Sequence, residues 1–210
     1  MATFAELTLS GRRVRLEPLS HAHVGALVTA ASESRETYGL TIVPDGPEAM
    51  GRYVQVALAE RERGVSVPFA TVDLARGAAV GSTRFMNIET WTWPSGDRAR
   101  PVPSVPFEAA EIGSTWLAAS AQRTAVNTEA KLLMLTHAFA VWGLRRVNLK
   151  TDARNVRSRT AIERLGARLD GILRAQMPAS DGGVRDTALY SILADEWPSV
   201  RAALVGRLES

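Results

Sequence analysis

Residues 122–128 (QRTAVNT) follow a strand-like segment and lead into a long apolar helix, and this arrangement could bind an anion. Amide groups at the start of a helix have no partner inside the helix, and the helix dipole is positive at that end. Arg123 could add a charged hydrogen bond to a phosphate group, and Thr128 could donate from its hydroxyl. The candidate anion-binding residues are Gln122, Arg123, Thr124, Ala125, Val126, Asn127 and Thr128.

A second pair of polar residues, Asn155 and Ser158, lies at the predicted start of a later helix. Asn155 is a typical N-cap residue, and capping does not prevent it from also contacting a ligand. Ser158 precedes the inward-facing Ile162 by one helical turn, so its hydroxyl could point toward an opening in the sheet. It could equally satisfy a backbone group of the first turn.

Two longer runs that contain these residues resemble the acyl-CoA site of the GNAT acyltransferase superfamily. They are EIGSTWLAASAQRTAVNTEA (111–130) and LRRVNLKTDARNVRSRTAIERLGA (144–167). Within the superfamily, the likeness is strongest to the branch resembling the ribosomal-protein N-terminal acetyltransferases RimJ and RimL. Judged from the strand and helix patterns, the resemblance covers roughly residues 9–195.

The resemblance rests on two short signatures. The family's phosphate loop, Gln/Arg-x-x-Gly-x-Gly/Ala, corresponds to Gln122, Ala125 and Asn127. The second signature, Asn-x-x-Ser and then Leu-Gly-Ala, corresponds to Asn155, Ser158 and residues 165–167. Ala125 stands where the family usually has glycine. If that position needs a left-handed backbone, alanine costs on the order of 1–2 kcal/mol, which would weaken cofactor binding about tenfold.

The resemblance implies an α+β fold: a single GNAT-like domain over residues 1–210, with a mixed, mostly antiparallel sheet of about seven strands and helices on both faces. It implies an N-acyltransferase that moves an acyl group directly from acyl-CoA to a primary amine, without a metal. Acetyl-CoA is the default donor, and the abundant arginines leave succinyl-CoA as an alternative. The acceptor would be a protein N-terminus, a lysine or a small amine. Asn155 would contact the pantetheine arm, and Ser158 would donate to the departing thiolate.

Such a reaction requires a group that removes a proton, because an ammonium ion cannot attack a thioester. Glu111, at the start of a predicted strand, is the first candidate. Glu108 is the second, although we expect it to be a solvated surface carboxylate. Glu129, in the first turn of the apolar helix, would stabilise the helix dipole and is assigned no catalytic role. Backbone N–H groups of the 111–117 strand could polarise the thioester carbonyl.

The elements that position these residues follow from the periodicity of the apolar residues. It predicts strands at 12–17, 69–74, 80–88, 111–117, 145–151, 168–177 and 185–193. Predicted helices begin after Ser20, at Pro47, near Thr128, after Asn155 and at Pro198. Apolar residues at 132–142 fall on nearly every face, which predicts a helix buried all round and ended by Gly143.

Residues 90–107 contain Trp91, Trp93 and four prolines, so neither a helix nor a central strand can pass through them. A loop of this length in a compact domain is typically functional or mobile. The two tryptophans could form a lid or a wall of the acceptor site. They could equally form a contact in a homodimer.

Composition excludes several classes of site. The chain has 210 residues and no cysteine, which excludes disulfides, thiolate metal sites and a cysteine nucleophile. Its only histidines, His21, His23 and His137, disfavour a histidine-rich metal centre. The N-terminal residues lack the apolar stretch of a secretory signal, and no run is long enough to span a membrane. These features predict a cytoplasmic protein.

The formal net charge is only +3, but residues 145–168 are strongly basic. Eight basic residues lie there, opposed in sequence only by Asp152 and Glu163: Arg145, Arg146, Lys150, Arg154, Arg157, Arg159, Arg164 and Arg168. Such clustering is typical of proteins that bind a polyanion. A nucleic-acid-binding module is therefore an alternative, although the interval has no aromatic residue for base stacking. A second alternative is a GNAT-fold binding protein that has lost catalysis. The alanine at position 125, where the family usually has glycine, is the feature that favours it.

Overall fold

The computed structural model describes residues 7–93 and 104–209. Their centre is an eight-stranded sheet in the order β1-β2-β3-β4-β5-β6-β8-β7. The strands are β1 (Leu9–Ser10), β2 (Val14–Pro18), β3 (Val67–Asp73), β4 (Ala78–Glu89), β5 (Ala109–Leu117), β6 (Arg146–Asp152), β7 (Arg168–Pro178) and β8 (Val184–Leu193). Neighbouring strands are antiparallel except β5 and β6, which are parallel.

Five α-helices complete the described part of the chain: α1 (Val24–Ser32), α2 (Gly46–Glu62), α3 (Ala125–Thr136), α4 (Val156–Arg164) and α5 (Trp197–Glu209). Their ends follow the expected local signals. Thr124 and Asn155 cap α3 and α4 with their side chains. Gly143 and Gly166 follow α3 and α4 with left-handed φ values of 70° and 98°. Glycine adopts this conformation at little steric cost, which makes it the usual residue after a helix.

The helices pack on both faces of the sheet, as predicted. Side chains alternate between the two faces along β4. Ser82 accepts a hydrogen bond from Tyr53 of α2 (3.0 Å), whereas its neighbour Thr83 accepts one from Lys131 of α3 (2.9 Å). Helix α5 packs beside α3, where the rings of Phe139 and Trp197 stack with their centroids 5.4 Å apart. Each face of the sheet is therefore covered by its own set of helices.

The prediction of about seven strands is confirmed within one strand. The extra strand is the two-residue β1, which is too short to show a periodic pattern. The prediction that the long apolar helix is buried all round is wrong. Ala140 and Val141 are exposed near its end, and Val141 is more than half exposed. The helix ends in a π-helical turn over His137–Val141 before Gly143.

Glu129 has a different role from the expected dipole stabilisation. Its carboxylate is buried and accepts hydrogen bonds from the backbone amides of Arg12 (3.1 Å), Arg13 (2.7 Å) and Val14 (2.7 Å). It therefore fastens the turn between β1 and β2 to α3. A Cβ atom at Gly11 would lie 2.7 Å from this carboxylate, so the turn approaches closely only because Gly11 has no side chain.

None of the helices in the described ranges has the length and apolar character that crossing a membrane requires.

Candidate active site

A cleft opens where β5 and β6 separate. Their parallel pairing covers Ala109–Arg146, Ala110–Val147 and Glu111–Asn148. Beyond this point β5 continues to Leu117 and β6 to Asp152. Helix α3 follows β5 and helix α4 follows β6, so both helix N-termini lie at the wide end of the cleft. The carboxyl ends of neighbouring parallel strands are where α/β sheets bind ligands.

The loop before α3 holds its amide groups at this end of the cleft. Thr124 is the N-cap, and its hydroxyl oxygen accepts from the Val126 amide (3.2 Å). The side chains of Arg123 and Thr124 are exposed. The left-handed residue of the loop is Arg123, with φ 60°, whereas Ala125 is the first residue of the helix. The suspected strain at Ala125 is therefore absent.

Gln122 joins three segments around the cleft. Its side-chain amide donates to Thr37 Oγ1 (2.9 Å) and to the Leu117 carbonyl oxygen (2.9 Å). Its carbonyl oxygen accepts from Arg157 on α4 (2.8 Å). The side chain thus ties the loop before α3 to the α1–α2 connection and, across the cleft, to α4.

The second signature lies at the N-terminus of α4, facing the first. Asn155 Oδ1 accepts from the Ser158 amide (3.0 Å), which confirms the predicted N-cap. Asn155 Nδ2 lies 3.5 Å from Thr41 Oγ1, at the limit of a hydrogen bond to the α1–α2 connection. Ser158 is half-buried in the first turn. The fold therefore brings the two sequence signatures together on opposite sides of one cleft.

Glu111 lies where the two strands part. It belongs to the last β5–β6 pair and is only 5% exposed. Its Oε2 atom accepts from Asn87 Nδ2 (2.7 Å) and lies 3.0 Å from Lys150 Nζ. The ammonium group of Lys150 thus forms an ion pair with this buried carboxylate. Neither Asn87 nor Lys150 stands out in the sequence, because both meet Glu111 from other strands.

A β-bulge interrupts β5 between Gly113 and Trp116, shortly after Glu111. The partner of Arg84 is Gly113 and the partner of Ser82 is Trp116, so β5 has one more residue than β4 in this interval. Ser114 has a left-handed φ of 48°. A bulge leaves a residue outside the hydrogen-bond ladder and turns its peptide groups. The bulge is not among the predicted features, although a glycine within a strand, here Gly113, is a known signal for one.

Gly113 also makes room for Glu111. A Cβ atom at this position would lie 2.7 Å from Glu111 Oε1 and 2.8 Å from Met86 Sδ. Both atoms are at the far ends of side chains. A larger residue would therefore displace the Glu111 carboxylate rather than the backbone.

The expectation that Glu108 is a solvated surface carboxylate is wrong. Glu108 is buried and accepts hydrogen bonds from the Trp91 amide (2.9 Å) and from Trp93 Nε1 (3.0 Å). The guanidinium carbon of Arg145 lies 4.9 Å from the centroid of the Trp93 ring. The start of the 90–107 loop thus folds back onto β5. Residues 94–103 of that loop lie outside the described residues. A lid, an acceptor wall or a dimer contact formed by the two tryptophans stays a prediction.

The basic segment is partly neutralised, mostly by carboxylates outside it. Its ion pairs include Arg146 with Asp170, Lys150 with Glu111, Arg154 with Asp152 and Asp181, and Arg168 with Glu196. Hydrogen bonds from Arg154 lower the pKa of Asp152. These pairs reduce the basic surface that the sequence suggests, which weakens the nucleic-acid alternative.

The histidines lie outside the cleft. His137 packs edge-on against Trp142, with the ring centroids 4.7 Å apart, and its burial lowers its pKa. His23 is bound to Ser20 (3.0 Å) and Glu17 (3.1 Å), near the start of α1, and His21 is exposed. Among residues 7–93 and 104–209, no group of His, Asp and Glu side chains could hold a metal ion.

Comparisons with known proteins agree with this architecture. The family model described as "Acetyltransferase (GNAT) domain" matches residues 13–168. A GCN5-related N-acetyltransferase from Brucella melitensis has 28% identity and a TM-score of 0.82, with 98% of this chain and 86% of that chain covered. A proposed acetyltransferase from T. thermophilus has 34% identity and a TM-score of 0.78, with 99% and 100% covered.

RimJ from Mycobacterium smegmatis, solved in complex with CoA-disulfide, has 24% identity and a TM-score of 0.73, with 96% and 95% covered. At that identity the likeness concerns the fold alone. No protein with curated information matches the chain. The family model covers most of the chain, and the T. thermophilus protein is similar over its whole length. The chain therefore belongs to the GNAT acetyltransferase family.

Proposed function

We propose that residues 1–210 form one acyl-CoA-dependent N-acyltransferase unit, which transfers an acyl group directly to a primary amine. The observation that carries this proposal is the cleft between β5 and β6, with two helix N-termini at its wide end and Glu111 where the strands part. One end suits the phosphates of a nucleotide-like donor. The other end holds a carboxylate that can remove a proton from an amine.

The donor's diphosphate would lie at residues 123–128. The amides at the start of α3 point out of the helix, and the exposed guanidinium of Arg123 adds a mobile positive charge. Gln122 would act by positioning this loop, because its side-chain amide is already bound within the protein. Asn155 would meet the pantetheine arm from α4. The structure of M. smegmatis RimJ in complex with CoA-disulfide supports a CoA-type donor for this fold.

Glu111 would act as the base. The amine attacks the thioester carbon and loses a proton to the Glu111 carboxylate, directly or through a water molecule. Backbone N–H groups at the Ser114 bulge would stabilise the negative charge on the carbonyl oxygen. The carbon–sulfur bond then breaks, and the thiolate accepts a hydrogen bond from Ser158 before it takes a proton from solvent. Glu108 is excluded from this role in our proposal because Trp91 and Trp93 cover its carboxylate.

Calorimetric titration with acetyl-CoA, succinyl-CoA and free CoA tests the donor site. A thiol-release assay over a panel of amines then tests transfer. We expect acetyl-CoA to bind and at least one primary amine to accelerate thiol release. Binding without acceleration by any amine would instead favour the alternative of a GNAT-fold protein that binds acyl-CoA without catalysis.

A further inference from the structure

A cavity of about 410 Å³ lies between α2 and the bulge of β5. It is an open depression on the surface rather than an enclosed cavity, and its volume is large enough for a small molecule. Its described lining residues are Ile42, Pro44, Ala49, Arg52, Tyr53, Val56, Arg84 and Ser114. The apolar residues form walls, and Ile42 and Val56 are 74% and 57% exposed. The lining thus combines uncovered apolar surface with two arginines and contains no carboxylate.

Arg84 is held rigidly in this cavity, and one of its donors has no partner. The residue is 5% exposed and belongs to β4. Its Nη1 atom donates to Glu60 (2.8 Å), and the guanidinium carbon lies 5.0 Å from the centroid of the Tyr53 ring. Its buried Nε atom has no hydrogen-bond partner among the described residues. Leaving a buried donor unpaired is unfavourable, so an acceptor oxygen that reaches this atom would be bound favourably.

Arg52 supplies the second positive charge. It is exposed and pairs with Glu48, one helical turn away on α2. An ion pair between two exposed side chains contributes little free energy, so it can readily be exchanged for another carboxylate. The carboxylates that pair with the two arginines, Glu60 and Glu48, are not among the residues that line the cavity. Both arginines line the cavity, so its charged lining suits an anionic group.

The cavity adjoins the proposed reaction site. Ser114 lines it and is also the bulge residue of β5. Its hydroxyl lies 3.7 Å from Met86 Sδ. A Cβ atom added at Gly113, the residue before Ser114, would lie within 3 Å of both Met86 Sδ and Glu111 Oε1. An occupant that projects past Ser114 thus approaches the Glu111 carboxylate.

We propose that the acceptor is a small amine of the amino-acid class that carries a carboxylate and an apolar substituent. The carboxylate binds Arg84 and Arg52, because guanidinium groups form charge-assisted hydrogen bonds with carboxylates. The apolar substituent lies against Ile42 and Val56, and the amine points past Ser114 toward Glu111. This inference rests on the proposed N-acyltransferase function and names the substrate class of the same site.

The test compares a matched pair of acceptors, L-leucine and L-leucinamide, in the thiol-release assay with acetyl-CoA. Two variants remove the proposed contacts: Arg52→Gln removes the exposed charge, and Arg84→Lys keeps a charge but removes the Nε donor. The measured quantity is the ratio of kcat/KM for leucine to that for leucinamide. Dividing the variant's ratio by the wild-type ratio cancels the intrinsic difference between the two amines.

We expect each variant to lower this ratio about tenfold, the change that corresponds to about 1.4 kcal/mol. Arg201→Gln on α5 is the matched control, because Arg201 is exposed on another helix and should leave the ratio unchanged. Arg52 is exposed, so its replacement should not impair folding even if Arg84→Lys does. An unchanged ratio in the folded variants would overturn the inference while leaving the transferase proposal intact. A wild-type enzyme that prefers peptides over free amino acids would overturn it as well.

If no amine of the panel releases thiol, the proposed function fails, and the inference is decided by binding. Leucine is then titrated calorimetrically into the protein saturated with CoA. Binding that Arg52→Gln weakens about tenfold would support the cavity as a carboxylate site. No binding to the wild-type protein would overturn it.

Discussion

Three glutamates near the cleft look alike in the sequence and have different surroundings in the structure. Glu111 meets an ammonium and an amide, Glu108 meets two tryptophan N–H groups, and Glu129 meets three backbone amides. All three are buried. Of the three, Glu111 is the one that lies where β5 and β6 part, so it remains the candidate base.

The Glu111→Gln variant tests that assignment. We expect kcat/KM to fall about 100-fold near neutral pH, within the usual contribution of a general base. The loss should shrink as the pH rises, because more of the acceptor is then free amine. The measurement is a pH profile of thiol release in both proteins, with calorimetric binding of acetyl-CoA as the control. A constant ratio between the two profiles would remove Glu111 from the mechanism.

Gly113→Ala tests the positioning of Glu111 without changing its chemistry. The new methyl group would meet the ends of the Glu111 and Met86 side chains, which can move away. We therefore expect kcat to fall about tenfold or more, since small displacements of catalytic groups are costly, while the melting temperature changes little. Gly51→Ala on α2 is the control, because the added methyl group meets no neighbouring atom there. Unchanged turnover would show that the carboxylate tolerates the displacement.

Lys131 couples stability to pH. Its ammonium nitrogen is buried on α3 and donates to Thr83 (2.9 Å) and Thr115 (2.6 Å), and desolvation lowers its pKa to about 7. In the unfolded chain a lysine has its ordinary pKa of 10.5. Between these values the unfolded chain holds a proton that the folded chain has lost, so raising the pH through this window increases stability. Below pH 7 the folded protein carries the buried charge, and its desolvation lowers the stability by the full amount.

Replacing Lys131 by methionine should therefore stabilise the protein most near pH 6. The advantage should shrink toward pH 10, by up to about 1.4 kcal/mol per pH unit. Denaturant unfolding of both proteins at several pH values measures it. Parallel stability curves would mean that Lys131 keeps its proton in the folded protein.

Among the secondary-structure elements, the backbone conformation before α3 determines how substitutions there should affect donor binding. The left-handed residue is Arg123, and Ala125 is already helical. We expect Ala125→Gly to leave the Kd for acetyl-CoA within about twofold, because no strain is relieved there. Arg123→Ala should weaken binding severalfold by removing a charged donor. Calorimetric titration with acetyl-CoA measures the Kd of each variant. Tenfold tighter binding by Ala125→Gly would contradict the observed loop geometry.

The connection between α1 and α2 closes the cleft from the side. Thr37 bonds to Gln122, Thr41 approaches Asn155, and the Gly39 carbonyl oxygen accepts from Ser180 in the β7–β8 turn (2.8 Å). Three elements that are far apart in sequence thus share one short connection. Movement of this connection would change the loop before α3 and the start of α4 together.

At the scale of the whole molecule, most of the elements follow from apolar periodicity and end signals. The 80–88 strand, the helix at Pro47 and the helix after Asn155 appear close to their predicted bounds as β4, α2 and α4. The placement of β8 between β6 and β7 does not follow from these signals. Local patterns report which residues are buried, but not which strand lies beside which.

The family resemblance, the two signatures and the alternation of strands and helices can be read from the chain alone, because they depend on residues close together along it. The environment of each charge cannot. The folded structure is needed to see that Glu108 is covered, that part of the basic segment is paired with distant carboxylates, and that Lys131 and Arg84 are buried. The free energy of a charge depends on burial and on partners brought by other elements. Those partners come from strands and helices that only the folded chain places together.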